Sequence, residues 1–189
     1  MQIIDDYLPK EQFEKIYKIF TSNRVKWEYV NVANPASDKV GMFSFNDMLY
    51  DIRVGHFGDI PIYANETLKY LLKDNMKIIR AKANLFTIRD EPIKYGWHYD
   101  LVQEGDVEKP LDDFKTLLYY INDNNGGTDF EEGLTLSSKN LFVKSKANRA
   151  VIVDGNIKHQ SVGQTDTNIR LNININYVEM SWQKTQLIL

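Results

Sequence analysis

The sequence predicts an α+β fold that is mainly β, with helices near its start and a β-sandwich or barrel core. Two observations support this prediction. Apolar residues recur at helical spacing in two segments of the first part of the chain. Beyond Ile78 the chain changes to short β-prone runs separated by glycine, asparagine and aspartate turns. Helices followed by strands favour an architecture in which the helices cover one face of a sheet.

Two helices are predicted. The first lies in "LPKEQFEKIYKIFTSN" and starts after Pro9, because its apolar residues recur every three or four positions, at Phe13, Ile16, Tyr17, Ile19 and Phe20. The second lies in "NETLKYLLKDNMKIIR", for which we predict Asn65 as the N-cap and an apolar face of Leu68, Leu71 and Leu72.

Four later runs read as strands: "KANLFTI", "KTLLYYIND", "NRAVIVDG" and "NIRLNININYVEM". The last of them alternates strictly between polar and apolar residues. Side chains two positions apart share a face of a strand, so one face carries the apolar Leu171, Ile173 and Ile175. The opposite face carries Arg170, Asn172, Asn174 and Asn176.

Composition limits the function classes. The 189 residues suit one domain, and the net charge of -3 with a pI near 5.6 makes nucleic acid an unlikely partner. There is no cysteine, which excludes disulfides, thiolate metal sites and thiol nucleophiles. No signal peptide or membrane span is recognisable, so we expect a cytoplasmic protein with no membrane partner.

Two of the three histidines are candidate metal ligands. His98 and Asp100 lie together in "KYGWHYD", and His159 follows the strand run "AVIVDG", whereas His56 in "RVGHFGD" is predicted to be a loop residue. Two histidines and one carboxylate can hold Fe(II) on one side and leave positions open for substrate and O₂. The residues alone leave the alternative of ordinary loop histidines open.

Arg170 suggests what would bind beside such a metal. It starts the polar face of its strand shortly after His159. A surface strand with its polar side in water is one interpretation. The other is a pocket in which the arginine holds a carboxylate through two parallel hydrogen bonds.

From Ile78 to Tyr177 the sequence resembles the Fe(II)- and 2-oxoglutarate-dependent dioxygenases, in particular the prolyl 4-hydroxylase-like branch. "YGWHYD" is similar to the Tyr-x-x-His-x-Asp motif of that branch, which matches Tyr95, His98 and Asp100. "LLYYIND" followed by "GGTDFEE" is similar to its tyrosine strand and Gly-Gly turn. "NRAVIVDGNIKHQSV" is similar to the strand that leads to the second histidine.

The resemblance implies a double-stranded β-helix, the cupin-like jelly roll, with N-terminal helices packed on the outer sheet. It implies one domain over residues 1–189, with 1–77 as helical support and substrate mouth and 78–180 as the catalytic jelly roll. It also implies Fe(II), the co-substrates 2-oxoglutarate and O₂, and ascorbate as an optional addition. Succinate and CO₂ are then released as a substrate C–H bond is hydroxylated.

By the same resemblance, His98, Asp100 and His159 are the catalytic metal ligands, and Arg170, Tyr120 and Tyr95 bind 2-oxoglutarate. From the strand pattern we expect Asn172 and Asn174 to contact substrate, together with Asn84 or Phe86, whose register the sequence leaves open.

A prolyl residue of a protein or peptide is the single substrate that the resemblance favours. The same chemistry on a free amino acid, a small metabolite or a nucleobase remains an alternative, as does a non-catalytic jelly-roll binding protein.

Overall fold

The computed structural model describes residues 1–31, 42–53, 61–131 and 140–180. Within them lie the helices α1 (Lys10–Phe20) and α2 (Ile62–Leu71). Neither helix has the length and apolar character needed to cross a membrane. The strands are β1 (Gln2–Ile4), β2 (Glu28–Val30), β3 (Ser44–Asp51), β4 (Met76–Thr87), β5 (Val102–Gln103), β6 (Asp106–Pro110), β7 (Lys115–Tyr120), β8 (Gly127–Phe130), β9 (Leu141–Lys144), β10 (Arg149–Asp154), β11 (His159–Val162) and β12 (Ile169–Glu179).

The strands form a large and a small antiparallel sheet. The large sheet has the order β1-β10-β7-β12-β4-β3-β2, and the small sheet has the order β11-β8-β9. Strands β5 and β6 pair with each other. Next to β11 the small sheet is extended by single bridges, which pair Lys94 with Val162 and His98 with His159. The segment that carries His98 is therefore held against the strand that carries His159.

The two faces of the large sheet have different partners. The outer face packs against both helices in the main core, which includes Ile16, Phe20, Leu68, Leu71, Ala81, Ala83, Leu117, Leu171, Ile173 and Ile175. The inner face meets the small sheet in a second core of Leu118, Tyr120, Phe130, Val143, Val151 and Val153. Two facing sheets with helices outside one of them form the predicted jelly roll, so the predicted fold class is confirmed.

The first helix begins after Pro9 as predicted, but the second prediction was wrong in its bounds. Helix α2 begins at Ile62 after Pro61, so Asn65 lies inside the helix and is not its N-cap. The helix ends at Leu71, and the segment from Met76 belongs to β4. Strand β4 pairs along its length with β12, and this ladder of hydrogen bonds outweighs local helix propensity.

Candidate active site

The two candidate histidine ligands are brought together by their own backbones. The amide of His98 donates to the carbonyl of His159 at 3.0 Å, and the reverse hydrogen bond measures 3.1 Å. This bridge places the two rings with their centroids 4.7 Å apart. Residues that are 61 positions apart in sequence thus become direct neighbours through one β-bridge.

Each ring is oriented by a carbonyl two residues earlier. Nδ1 of His98 lies 3.1 Å from the oxygen of Gly96, and Nδ1 of His159 lies 3.2 Å from the oxygen of Ile157. A carbonyl can only accept, so these contacts favour a proton on Nδ1 in the neutral rings. The lone pair of Nε2 is then available to a metal, which is the arrangement that metal-binding histidines generally use.

Asp100 is held by a network of donors on the large sheet. Its Oδ1 accepts from Asn174 at 2.8 Å and from Arg80 at 3.4 Å. Its Oδ2 accepts from Thr116 at 2.8 Å and from Asn176 at 3.1 Å. These contacts fix the carboxylate between the sheets, where Nε2 of His159 lies 3.6 Å from Oδ2.

The surroundings set the charges of this group. Burial lowers the pKa of His98 to about 4, and the neighbouring His159 acts in the same direction, so His98 is neutral near pH 7. Burial opposes ionisation of Asp100, but the interactions with His159 and Arg80 outweigh it and hold the pKa of the carboxyl well below its usual range. An ionised carboxylate beside a neutral imidazole is the protonation state that metal ligation requires.

The group fits a divalent metal. One donor atom from each of His98, Asp100 and His159 lies within 4.8 Å of the others. Two imidazole nitrogens and one carboxylate oxygen form the donor set of non-haem Fe(II) oxygenases. A carboxylate offers about four lone-pair positions. A metal ion bound to Asp100 would therefore displace one of the four hydrogen-bond donors that contact it, and Arg80 is the most distant of these donors.

Arg170 is a buried cation without an anionic partner among the residues that the structure describes. Its side chain is fully buried, and one guanidinium nitrogen, Nη2, donates to the carbonyl of Gly127 at 2.7 Å. The other two, Nε and Nη1, have no hydrogen-bond partner. Burial lowers the pKa of Arg170, and leaving donors of a buried charge unpaired is costly. A carboxylate of a bound ligand could accept from Nη1 and from the remaining N–H of Nη2, the pair of donors at the end of the guanidinium.

The Gly-Gly turn makes room for this arginine. A side-chain carbon at Gly126 would lie 2.7 Å from the carbonyl oxygen of Val162 and 3.1 Å from Cδ of Arg170. The guanidinium lies over the ring of Phe86, 4.7 Å from its centroid, and 6.0 Å from the centroid of Tyr120. Glycine is therefore required here by close approach of the backbone and the arginine.

The two tyrosines predicted to bind 2-oxoglutarate lie near Arg170. The fully buried Tyr120 donates its hydroxyl to Thr128 at 2.9 Å. Tyr95 is also buried and packs edge-on against Phe86, with 4.9 Å between the ring centroids. Both tyrosines are close enough to help enclose a ligand of Arg170, and their predicted roles stay predictions.

A cavity of about 160 Å³ lies between the sheets, and Tyr95 and Phe86, the ring that contacts Arg170, belong to its lining. Its described lining includes all three candidate metal ligands, and Asn84, Phe86, Asn172 and Asn174 lie along one wall. Asn84 and Phe86 both face it, because they are two residues apart on β4. Asn84 donates to Asn172 at 2.9 Å, whereas the amide of Asn174 is used on Asp100.

Sequence reasoning missed several residues of this site. Lys82 and Asn46 line the cavity, and Arg80 and Thr116 contact Asp100. Lys82 begins the predicted strand run "KANLFTI", two positions before Asn84, so its face follows from the alternation. Arg80 falls in the run that the sequence predicts to be helical, and only the strand β4 shows its face. His56, predicted as a loop residue, lies outside the described residues.

No protein-family model and no curated protein matches this sequence. Solved structures do match its fold. One is a prolyl-4-hydroxylase from Pseudomonas putida, with TM-score 0.56 and 11% identity over 95% of this chain and 92% of that chain. A second is a prolyl hydroxylase from Trichoplax adhaerens in complex with a peptide fragment of hypoxia inducible factor, with TM-score 0.58 and 14% identity over 94% and 83%.

A third is SnoN, a non-haem alpha-ketoglutarate-dependent epimerase from nogalamycin biosynthesis, with TM-score 0.58 and 13% identity over 94% of this chain and 76% of that chain. At such low identities the likeness establishes the fold. The chain has the jelly-roll fold that these 2-oxoglutarate-dependent proteins share.

Proposed function

We propose that this protein is an Fe(II)- and 2-oxoglutarate-dependent dioxygenase that hydroxylates a C–H bond of its substrate. One observation carries the proposal. The cluster of His98, Asp100 and His159 lines the same cavity as Phe86, and the buried guanidinium of Arg170 lies over that ring with two nitrogens that have no hydrogen-bond partner among the described residues. A metal site together with a buried arginine that can bind a carboxylate is the combination that this chemistry needs.

The residues take the following roles in this proposal. His98, Asp100 and His159 hold Fe(II), and Arg170 binds the far carboxylate of 2-oxoglutarate, with Tyr120 and Tyr95 enclosing it. Fe(II) with 2-oxoglutarate and O₂ supplies the oxidising chemistry, in which 2-oxoglutarate becomes succinate and CO₂. The protein contributes position, charge and exclusion of water.

The first 77 residues support and complete the site in this proposal. Helices α1 and α2 pack on the outer face of the large sheet. Strand β3 extends that sheet beyond β4, and its inward residues Ser44 and Asn46 reach the cavity. We therefore assign the support and the substrate side of the mouth to this region, and the metal and co-substrate site to residues 78–180, in one catalytic domain.

For the substrate, a prolyl residue in a peptide is the first candidate, because two proteins of this fold are described as prolyl hydroxylases. The fold alone does not select it, since a third is described as an epimerase in nogalamycin biosynthesis. A small molecule is the second candidate, and the residues that line the cavity favour it, as argued below.

Succinate release tests the proposed function. The purified protein is incubated with Fe(II), 2-oxoglutarate, O₂ and ascorbate, without and with candidate substrates, and succinate is quantified. We expect slow release without substrate and stimulation by the correct one. His159→Ala should abolish both. Tight 2-oxoglutarate binding without any succinate from the wild-type protein would support a non-catalytic binding protein instead.

A further inference from the structure

Lys82 is a cation inside the candidate active site that the proposed chemistry does not use. It lies on the inner face of β4, between Arg80 and Asn84, and it pairs in the strand ladder with Asn174 on β12. It is the one lysine or arginine in the described lining of the cavity. Arg80 and Asn84 have partners in Asp100 and Asn172. The ammonium of Lys82 makes no hydrogen bond or ion pair within the described parts of the chain.

The presence of a lysine at position 82 is not explained by a need to neutralise the charge of Asp100. Asp100 already pairs with Arg80 and accepts hydrogen bonds from Thr116 and two asparagines. Burial lowers the pKa of Lys82 and the neighbouring Arg80 acts in the same direction, while the charge of Asp100 opposes them without making a hydrogen bond or ion pair to the ammonium. A partly dehydrated ammonium with no directly paired carboxylate among the described residues is an unfavourable arrangement, which an anion in the cavity would relieve.

An excess of positive charge would remain around the cavity even with the metal and the co-substrate bound. Three cationic side chains, Arg80, Lys82 and Arg170, accompany the single carboxylate of Asp100 among the described residues at the site. Fe(II) and the dianion of 2-oxoglutarate would cancel each other, so the cationic excess would persist. Arg170 and Lys82 lie on neighbouring strands, offset by four residues or about 13 Å, which separates the clamp from a second anion site.

The neighbours of Lys82 define the size and polarity of its ligand. Asn46 and Asn84 line the cavity on the same side and offer further hydrogen bonds. The buried side-chain oxygen of Asn174 has no hydrogen-bond partner in the described parts of the chain, so a donor on the ligand would satisfy it. The cavity of about 160 Å³ is smaller than the roughly 300–1,000 Å³ of sites for drug-sized ligands.

We infer that Lys82 binds a carboxylate of the substrate, and that the substrate is a small carboxylic acid with a hydrogen-bond donor, of the size of a free amino acid or hydroxy acid. This inference rests on the proposed oxygenase function. An internal residue of a protein chain presents a neutral carbonyl in place of the carboxylate and would leave the ammonium unpaired.

Paired acids and amides test the inference. The Zn(II)-loaded protein, saturated with 2-oxoglutarate and unable to turn over, is titrated by calorimetry with free L-amino acids, with short hydroxy acids and with the carboxamide of each. A capped proline peptide is included. We expect at least one free acid to bind more than tenfold more tightly than its own amide and than the peptide.

Lys82→Met should remove that preference, with at least a tenfold loss of affinity for the acid, because methionine keeps the length of the side chain and removes its charge. Lys77→Met is the matched control, since Lys77 is an exposed lysine on the same strand, and it should bind the acid as the wild type does. With Fe(II) in place of Zn(II), the preferred acid should stimulate succinate release and its amide should not.

Three results would overturn the inference. The first is that no acid in the panel binds more tightly than its amide. The second is that the peptide binds more tightly than every acid. The third is that Lys82→Met loses affinity for 2-oxoglutarate and keeps its affinity for the acid. Substrate-free succinate release separates the two claims. If the wild type releases succinate but shows no acid preference, only the assignment of Lys82 fails. If it releases none with any compound, the proposed function fails.

Discussion

Two regions of the candidate active site each contain a cation, Lys82 in the cavity lining and Arg170 behind Phe86, and their surroundings differ. Arg170 is fully buried, lies over Phe86, and is fixed by one hydrogen bond to the carbonyl of Gly127. Lys82 is partly buried and lies among amides on the side of β3, which is next to the edge strand β2. The Arg170 region is enclosed, whereas the Lys82 region is polar and lies toward the edge of the sheet.

This difference separates two tasks. An enclosed clamp with fixed geometry suits a co-substrate that is the same in every turnover. A flexible ammonium beside side-chain amides suits the partner that distinguishes this protein from others of its fold. In the proposed function, the metal held by His98, Asp100 and His159 serves both regions. Substitutions in each region should therefore change different measured quantities.

The largest effect is expected where both regions depend on one residue. His159→Ala leaves two metal ligands, so Fe(II) affinity should fall at least about a hundredfold and succinate release should be lost. Circular dichroism should still report a folded β-protein. Metal affinity is measured by titration with Fe(II) under anaerobic conditions. Wild-type affinity in this variant would remove His159 from the metal site.

Arg170→Ala should affect the enclosed region alone. Losing a buried arginine–carboxylate pair costs about 3–5 kcal/mol, which corresponds to about a hundredfold or more in 2-oxoglutarate affinity. Metal affinity should change little. Arg149→Ala is the control, because Arg149 pairs with the exposed Asp5 and should leave 2-oxoglutarate affinity intact. Equal effects of the two variants would contradict the clamp.

The candidate metal ligand His98 can be tested in the absence of metal and co-substrate. Unfolded His98 has an ordinary pKa near 6.5, and the folded value is about 4, so below pH 6.5 only the unfolded chain gains a proton. The free energy of unfolding should then fall by about 2 kcal/mol between pH 7.5 and pH 5 from this residue. Denaturant titrations in a chelator should show a weaker pH dependence for His98→Gln. An identical pH dependence would refute the assigned pKa.

Two asparagines on β12 should behave differently despite their similar positions. Asn174 donates to Asp100, so Asn174→Leu should weaken Fe(II) binding about tenfold and slow substrate-free succinate release with it. Asn172 instead accepts a hydrogen bond from Asn84. Asn172→Leu should keep both quantities near wild type and reduce stimulation by substrate. The same metal affinity in both variants would show that the contact with Asp100 has no effect on the metal.

The smallest effect is expected from Tyr120→Phe in the enclosed region. It removes one neutral hydrogen bond, worth about 1 kcal/mol, so 2-oxoglutarate affinity should fall about fivefold. Calorimetric titration with 2-oxoglutarate measures this change in affinity. A loss as large as that of Arg170→Ala would instead make the tyrosine a principal partner of the carboxylate.

The sequence by itself determined the class of fold and the faces of β12. Strict alternation allows only one arrangement in which Leu171, Ile173 and Ile175 are buried together, so Arg170 and the asparagines had to face the other way. The order of the motifs likewise predicted His98, Asp100 and His159 as one group. These features could be predicted because they depend on local periodicity and on short motifs.

Only the tertiary structure decided which side chains complete the site. The pairing of β4 with β12 joins residues about 90 positions apart in sequence. This pairing brings Asn174 and Arg80 to Asp100 and places Lys82 in the cavity. Local helix propensity around Met76 also pointed to the wrong element. Long-range hydrogen bonds of a sheet have no signature in the segment that forms them, because the partner strand supplies half of each bond.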